Sequence, residues 1–127
     1  MTNHKLYAWI FLSIHELPTS LENILLRADG INRAQPTIEE LQTSLGWLQA
    51  QKLIGKKEKG YLCTEAGIAL KNLIAGSNRT IFDIWDMLAE RFSQLPEIAF
   101  EPEAINENEI TSANRNNRKR IKKMLKR

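Results

Sequence analysis

The chain is expected to form a mostly α-helical fold with one small β-hairpin and an extra amphipathic helix toward its C-terminal end. Three observations predict this. Between Thr37 and Gly67 a capped amphipathic stretch gives way to Leu53-Ile54, then a charged turn, then Tyr61-Leu62-Cys63 and a fresh helix start at Thr64. Apolar residues recur at helical spacing both before and after this stretch. No other run reads as a strand, so the β content is confined to the hairpin.

The elements follow in order. Leu6, Trp9, Ile10, Ser13, Ile14 and Leu17 mark one helical face, widened by Tyr7 and Phe11, which predicts a first helix over about residues 4–16, stopped by Pro18. Thr19-Ser20-Leu21-Glu22 has the form of a capping box, in which a hydroxyl and a carboxylate satisfy free N–H groups at a helix start. A second helix then places Leu21, Ile24, Leu25 and Ala28 on one face and ends near Asp29-Gly30, where glycine can take a left-handed conformation. After a connector, Thr37-Ile38-Glu39-Glu40 offers another capping box. The third helix carries Ile38, Leu41, Leu45 and Leu48, and on the same line Lys52. Lys56 to Gly60 form the hairpin turn, with Gly60 available for a positive φ. Thr64 caps a fourth helix with Ala66, Leu70, Leu73 and Ile74 inward, ended by Gly76. Thr80 caps a fifth, with Ile81, Ile84, Trp85, Leu88, Phe92 and Leu95 on one face, closed by Pro96.

At 127 residues the length suits one domain with a real core. The expected organisation is a domain over residues 1–95, an acidic linker over 96–112 and a basic tail over 113–127, helical or disordered. The formal charge of +3 is unevenly spread. Residues 1–95 are neutral. Glu97, Glu101, Glu103, Glu107 and Glu109 follow without a basic residue, and then eight cations from Arg115 to Arg127 without an acid. A basic end of this kind serves either as an arm for nucleic acid or as a solvated terminus. No apolar run approaches the roughly 18 residues of a membrane span, and no secretory leader pattern opens the chain. One cysteine, Cys63, excludes an internal disulfide framework and a multi-cysteine metal site, and fits a cytoplasmic protein.

Leu45, Leu48, Leu53, Ile54, Leu62, Thr64 and Gly67 reproduce the spacing L-x-x-L-x-x-x-x-L-I, a charged hairpin, then L-x-T-x-x-G. That segment resembles the winged helix-turn-helix regulators of bacteria. The stretch from Ala28 to Leu41 is similar to a group of small bacterial winged-helix proteins without an assigned function. The resemblance spans about residues 6–75; the fifth helix and the tail lie outside it. It implies a third helix lying in the major groove and a hairpin wing touching the backbone or minor groove. Two features depart from the pattern. The connector Gly30–Pro36 is longer than the roughly 3–4-residue turn of such motifs. The third helix also opens with Glu39 and Glu40, which suit a helix N-terminus but repel phosphate.

The resemblance implies a DNA-binding transcriptional regulator. The candidate DNA contacts are Gln42, Thr43, Ser44 and Trp47 on the third helix, Lys56, Lys57 and Lys59 on the wing, and Arg115, Arg118, Lys119 and Arg120 in the tail. Each has a plainer alternative: the lysines as a solvated turn, Trp47 as core or interface, and the tail as a partner for acidic protein surface. Ile81, Ile84, Trp85, Leu88 and Phe92 are candidates for pairing two copies, against simple packing on the first helix. The alternative function is a protein–protein interaction module without sequence-specific DNA binding; RNA binding through the tail is a third. His4 and His15 stand alone, and no phosphate-cradling loop, nucleophile motif or metal-ligand spacing is present, so neither a cofactor nor an enzyme activity is expected.

Overall fold

The computed structural model describes residues 1–76, 80–106 and 108–109. The helices α1 (Asn3–Leu12), α2 (Leu21–Asn32), α3 (Ile38–Ala50), α4 (Glu65–Ala75) and α5 (Ile81–Ser93) surround a three-stranded antiparallel sheet of β1 (Thr19–Ser20), β2 (Ile54–Lys57) and β3 (Gly60–Cys63). The strand order is β1-β3-β2. Thr19 pairs with Tyr61 on one side of β3, and Ile54 pairs with Cys63 on the other. The connectivity α1-β1-α2-α3-β2-β3 is that of a winged helix, with the β2–β3 hairpin as the wing and α5 added after it.

Each of α1 to α5 starts on a hydroxyl. Thr2, Ser20, Thr37, Thr64 and Thr80 each accept a hydrogen bond from the backbone N–H three residues on. At α3 the full capping box forms, because the Glu40 carboxylate also accepts from the Thr37 N–H at 2.9 Å.

Several expected boundaries move, each for a local reason. The first helix ends at Leu12 and not near residue 16. The chain past Ser13 leaves the helix, still buried at Ile14, to meet β3, where the His15 carbonyl accepts from the Cys63 N–H at 2.8 Å. The cap of α2 is Ser20 and not Thr19, whose buried hydroxyl accepts from the His15 N–H at 3.1 Å and donates to the Leu17 carbonyl at 3.0 Å. Gly30 lies within α2, which continues to Asn32, and Arg33 takes the left-handed conformation at φ 53°. The connector to α3 is therefore only residues 33–37, shorter than the sequence suggested.

In the hairpin turn the positive φ falls on Glu58, at 57°. Gly60 serves another purpose: a Cβ there would sit 3.0 Å from the Thr19 carbonyl oxygen, so its bareness lets β1 approach β3. Lys52 leaves the inward line of α3, with φ 61° and an exposed side chain. On α4 the inward residues are Gly67 and Ile74, while Ala66 and Leu73 face out.

The core runs along α1, whose residues from Leu6 to Leu12 are all buried. Helix α5 lies against α1. The Trp85 indole N–H donates to the Lys5 carbonyl at 2.7 Å, and the Lys5 ammonium pairs with Asp86. On α1's other side the Trp9 indole N–H donates to the Ala28 carbonyl of α2 at 2.9 Å. Gly67 explains the last residue of the L-x-T-x-x-G pattern. A Cβ there would overlap the Leu53 carbonyl oxygen, so α4 packs directly on the backbone at the base of the wing. Thr64 ties the same corner, its hydroxyl donating to the Lys52 carbonyl at 2.6 Å.

Candidate nucleic-acid interface

The groove-facing surface of a winged helix is the exposed side of α3 together with the wing. Here α3 is covered. After α5 the chain doubles back, and residues 96–106 run over α3 as a strap. The Gln51 side chain donates to the Pro96 carbonyl at 2.8 Å. The Gln42 side chain donates to the Ile105 carbonyl at 3.3 Å, and the Gln42 carbonyl accepts from the Glu103 N–H at 2.9 Å. Ile105 is buried in the main core and Phe100 packs edge-on to Tyr7, with ring centroids 6.4 Å apart. Gly46 makes the close approach possible: a Cβ there would overlap the Glu101 carbonyl oxygen. Residues 96–106 are thus part of the folded body and not a linker.

Glu103 is the anchor of the strap. Its carboxylate accepts from the Gln49 side chain on α3 and lies 3.8 Å from the Lys56 ammonium on the wing. It also faces the Tyr61 phenol. Burial pushes the Tyr61 phenol well above its ordinary pKa, and the Glu103 charge and hydrogen bond push it further in the same direction. The Glu103 side chain is only 14% exposed, against 49% for Lys56. This pair is therefore shielded on its acidic side, while its basic side stays in water.

The expected contact residues separate accordingly. Gln42 and Thr43 are half-buried, and Gln42 is engaged by the strap. Ser44 and Trp47 are buried, which removes them from a groove-facing role in this arrangement. They lie on the side of α3 that meets the core. Trp47 stacks on Tyr7 with centroids 4.6 Å apart and planes 19° apart, and meets Phe92 at 4.9 Å. Such aromatic pairs add about 0.5–1.5 kcal/mol beyond area burial. The Ser44 hydroxyl is buried without a hydrogen-bond partner among the described residues. Lys57 and Lys59 are exposed at the wing tip, and Lys56 is engaged by Glu103. Arg115, Arg118, Lys119 and Arg120 lie outside the described residues.

The apolar face of α5 is used within the chain. Trp85, Leu88 and Phe92 are buried against α1 and α3, so they are not free to pair two copies. Ile84 is half-buried, and Ile81 is 41% exposed. Cys63 is buried, and burial raises its thiol pKa, which suits a core residue and not a nucleophile. Among the described residues no three His, Cys, Asp or Glu side chains gather where they could hold a metal. No helix among them is long and apolar enough to cross a membrane.

Sequence reasoning missed the strap, although two signals pointed to it. Gly46 stands inside a helix, where glycine costs about 1 kcal/mol relative to alanine, so close packing was the physical reason to look for. Ile98, Phe100 and Ile105 interrupt a stretch that its glutamates otherwise mark as solvated. In comparison with known proteins, no family model, no curated protein and no solved structure matches this chain.

Proposed function

We propose that the chain is a DNA-binding regulator of the winged-helix type whose reading surface is occupied by its own acidic strap. The observation that carries this reading is the set of groups around Glu103: an amide on α3 and an ammonium on the wing. Those are the two places from which a winged helix offers donors to a base edge and to a phosphate. Here one carboxylate occupies both: it accepts a hydrogen bond from the amide and forms an ion pair with the ammonium. Lys57 and Lys59 remain free at the wing tip for phosphate contact, and the eight cations beyond residue 112 add affinity without sequence choice. A cytoplasmic location belongs to the same reading, supported by the single reduced thiol of Cys63. Two copies on one duplex would pair through Ile81 and its exposed neighbour Phe82, because the rest of the α5 face is used internally.

A protein–protein interaction module is the second reading, favoured by Gly46. A helix that lays bare backbone against its own strap is built for a permanent cover. Glu39, exposed at the start of α3, also repels phosphate there. The two readings part in a mobility-shift series on random-sequence duplex DNA over a range of salt. If the strap competes with DNA, Glu103→Ala binds more tightly than wild type, and losing Lys57 and Lys59 lowers the salt slope by roughly one per lysine. If neither wild type nor Glu103→Ala binds at low salt, the DNA reading is lost and the interaction module stands.

A further inference from the structure

Away from the strap, a solvent-open cleft of about 300 Å³ lies where α4 and the start of α5 meet α2 and the turn after α1. Its walls are largely apolar, with Leu12, Ile14, Ile68 and Ile84 among them. Two cations, Arg27 from α2 and Lys71 from α4, line the same cleft. Both are partly buried, and among the described residues neither has a carboxylate within ion-pair distance.

Their hydrogen bonding leaves the positive charge uncompensated. One guanidinium nitrogen of Arg27 meets His15 Nδ1 at 3.2 Å, and Arg27 Nε is buried with no hydrogen-bond partner among the described residues. The Lys71 ammonium donates to the Ile14 carbonyl, also meets the neutral Cys63 thiol, and sits 4.6 Å from the centre of the Phe11 ring. A carbonyl and an aromatic face solvate a cation but do not neutralise it. Arg27 also acts on Lys71, and after burial, the main cause, both cations lower the pKa of His15, so they share one local field. Glu16 is the one carboxylate in the lining. It is exposed and makes no ion pair with either cation among the described residues; its charge acts on Lys71 only weakly, as the last of the influences on that ammonium.

Partly buried cations without a counter-charge are costly, and an orphaned buried donor of this kind calls for a partner. From this cluster and its apolar walls we infer that the cleft is a binding site for a small monocarboxylate with an apolar body. The carboxylate meets Arg27 and Lys71, and the hydrocarbon part lies along Ile68 and Ile84. The cleft is at the small end of the roughly 300–1,000 Å³ of small-molecule sites. That size suits a medium-chain or single-ring acid. None of the lining residues belongs to α3 or the wing, and the inference does not depend on what that surface binds.

Calorimetric titration of the full chain with octanoate, 1-octanol and acetate tests this. Octanoate should bind at least about tenfold more tightly than either control, because 1-octanol lacks the charge and acetate lacks the apolar body. Lys71→Met keeps the side-chain length and removes the charge; it should weaken octanoate by about tenfold or more and leave 1-octanol unchanged. Arg27→Gln provides the same comparison on the other cation should the first variant not fold. Ala75→Trp, on the exposed rim of the cleft, should block octanoate without touching the core. Equal binding of octanoate and 1-octanol overturns the inference, as does octanoate binding that matches acetate. A folded charge variant that binds octanoate like wild type overturns it too.

Discussion

Two charged places in this molecule are built in opposite ways. On the α3 side, a shielded carboxylate, Glu103, is met by an amide, an ammonium and a phenol, all from the same chain. On the α4 side, Arg27 and Lys71 are partly buried with no carboxylate within ion-pair distance among the described residues. The first surface is chemically satisfied as it stands, and anything that binds there must displace the strap. The second is unsatisfied and has room. Local charge therefore separates a surface that is closed from one that is open, which net charge does not do: residues 1–95 are neutral as a whole.

Two of the glycines that permit close backbone approach, Gly67 and Gly46, break this comparison most directly. Gly67→Ala places a methyl against the Leu53 carbonyl at the base of the wing, where Phe11 closes the other side. Neither neighbour can move freely, so the fold should lose about 1–3 kcal/mol, the range for overpacking a core, read from the urea midpoint. An unchanged midpoint would mean that the α4–wing corner yields more easily than its geometry suggests. Gly46→Ala makes a similar overlap, but against a strap that can lift. Here alanine gains about 1 kcal/mol of helix propensity, which offsets part of the lost strap contact. Global stability should therefore change by less than at Gly67, while residues 97–106 become more readily cut by protease. Protection of that segment equal to wild type would show that the strap adapts without leaving α3.

The smallest effect is a pH dependence at Tyr61. Its phenol pKa lies above the ordinary value of 10.0, first through burial and then through Glu103. The neutral phenol is thus favoured in the folded state. Its contribution is complete below pH 10 and declines as the pH rises above it. Wild type should lose stability over that range more steeply than Tyr61→Phe, measured as urea unfolding at a series of pH values. Parallel curves for the two proteins would remove the Tyr61–Glu103 contact from the account of the strap.

The legible part of the sequence was its local chemistry. Thr37 with Glu40 announced the start of α3, and Thr64 and Thr80 those of α4 and α5, because a cap depends on residues three apart. The alternation around the charged turn at Lys56–Gly60 gave the wing. Less legible were decisions made by distant partners. Thr19 looked like a cap and became a strand residue because Tyr61 was there to pair with it. Gly60 looked like a turn glycine and proved to be a contact glycine, since β1 lies against it. Trp47 had two readings open; Tyr7 and Phe92 placed it in the core.

The candidate site shows the same division more sharply. The sequence by itself determined the helices, the hairpin and the separation of acidic from basic segments, because periodicity, capping and composition act over a few residues. Only the tertiary structure decided that an acidic segment expected to be a linker covers α3, and that Arg27 and Lys71 share one cleft. Gln49 and Glu103 are 54 residues apart, and Arg27 comes from a different helix than Lys71. Whether a charge is answered or left open depends on which side chains the folded core brings within a few ångströms, and no local pattern carries that information.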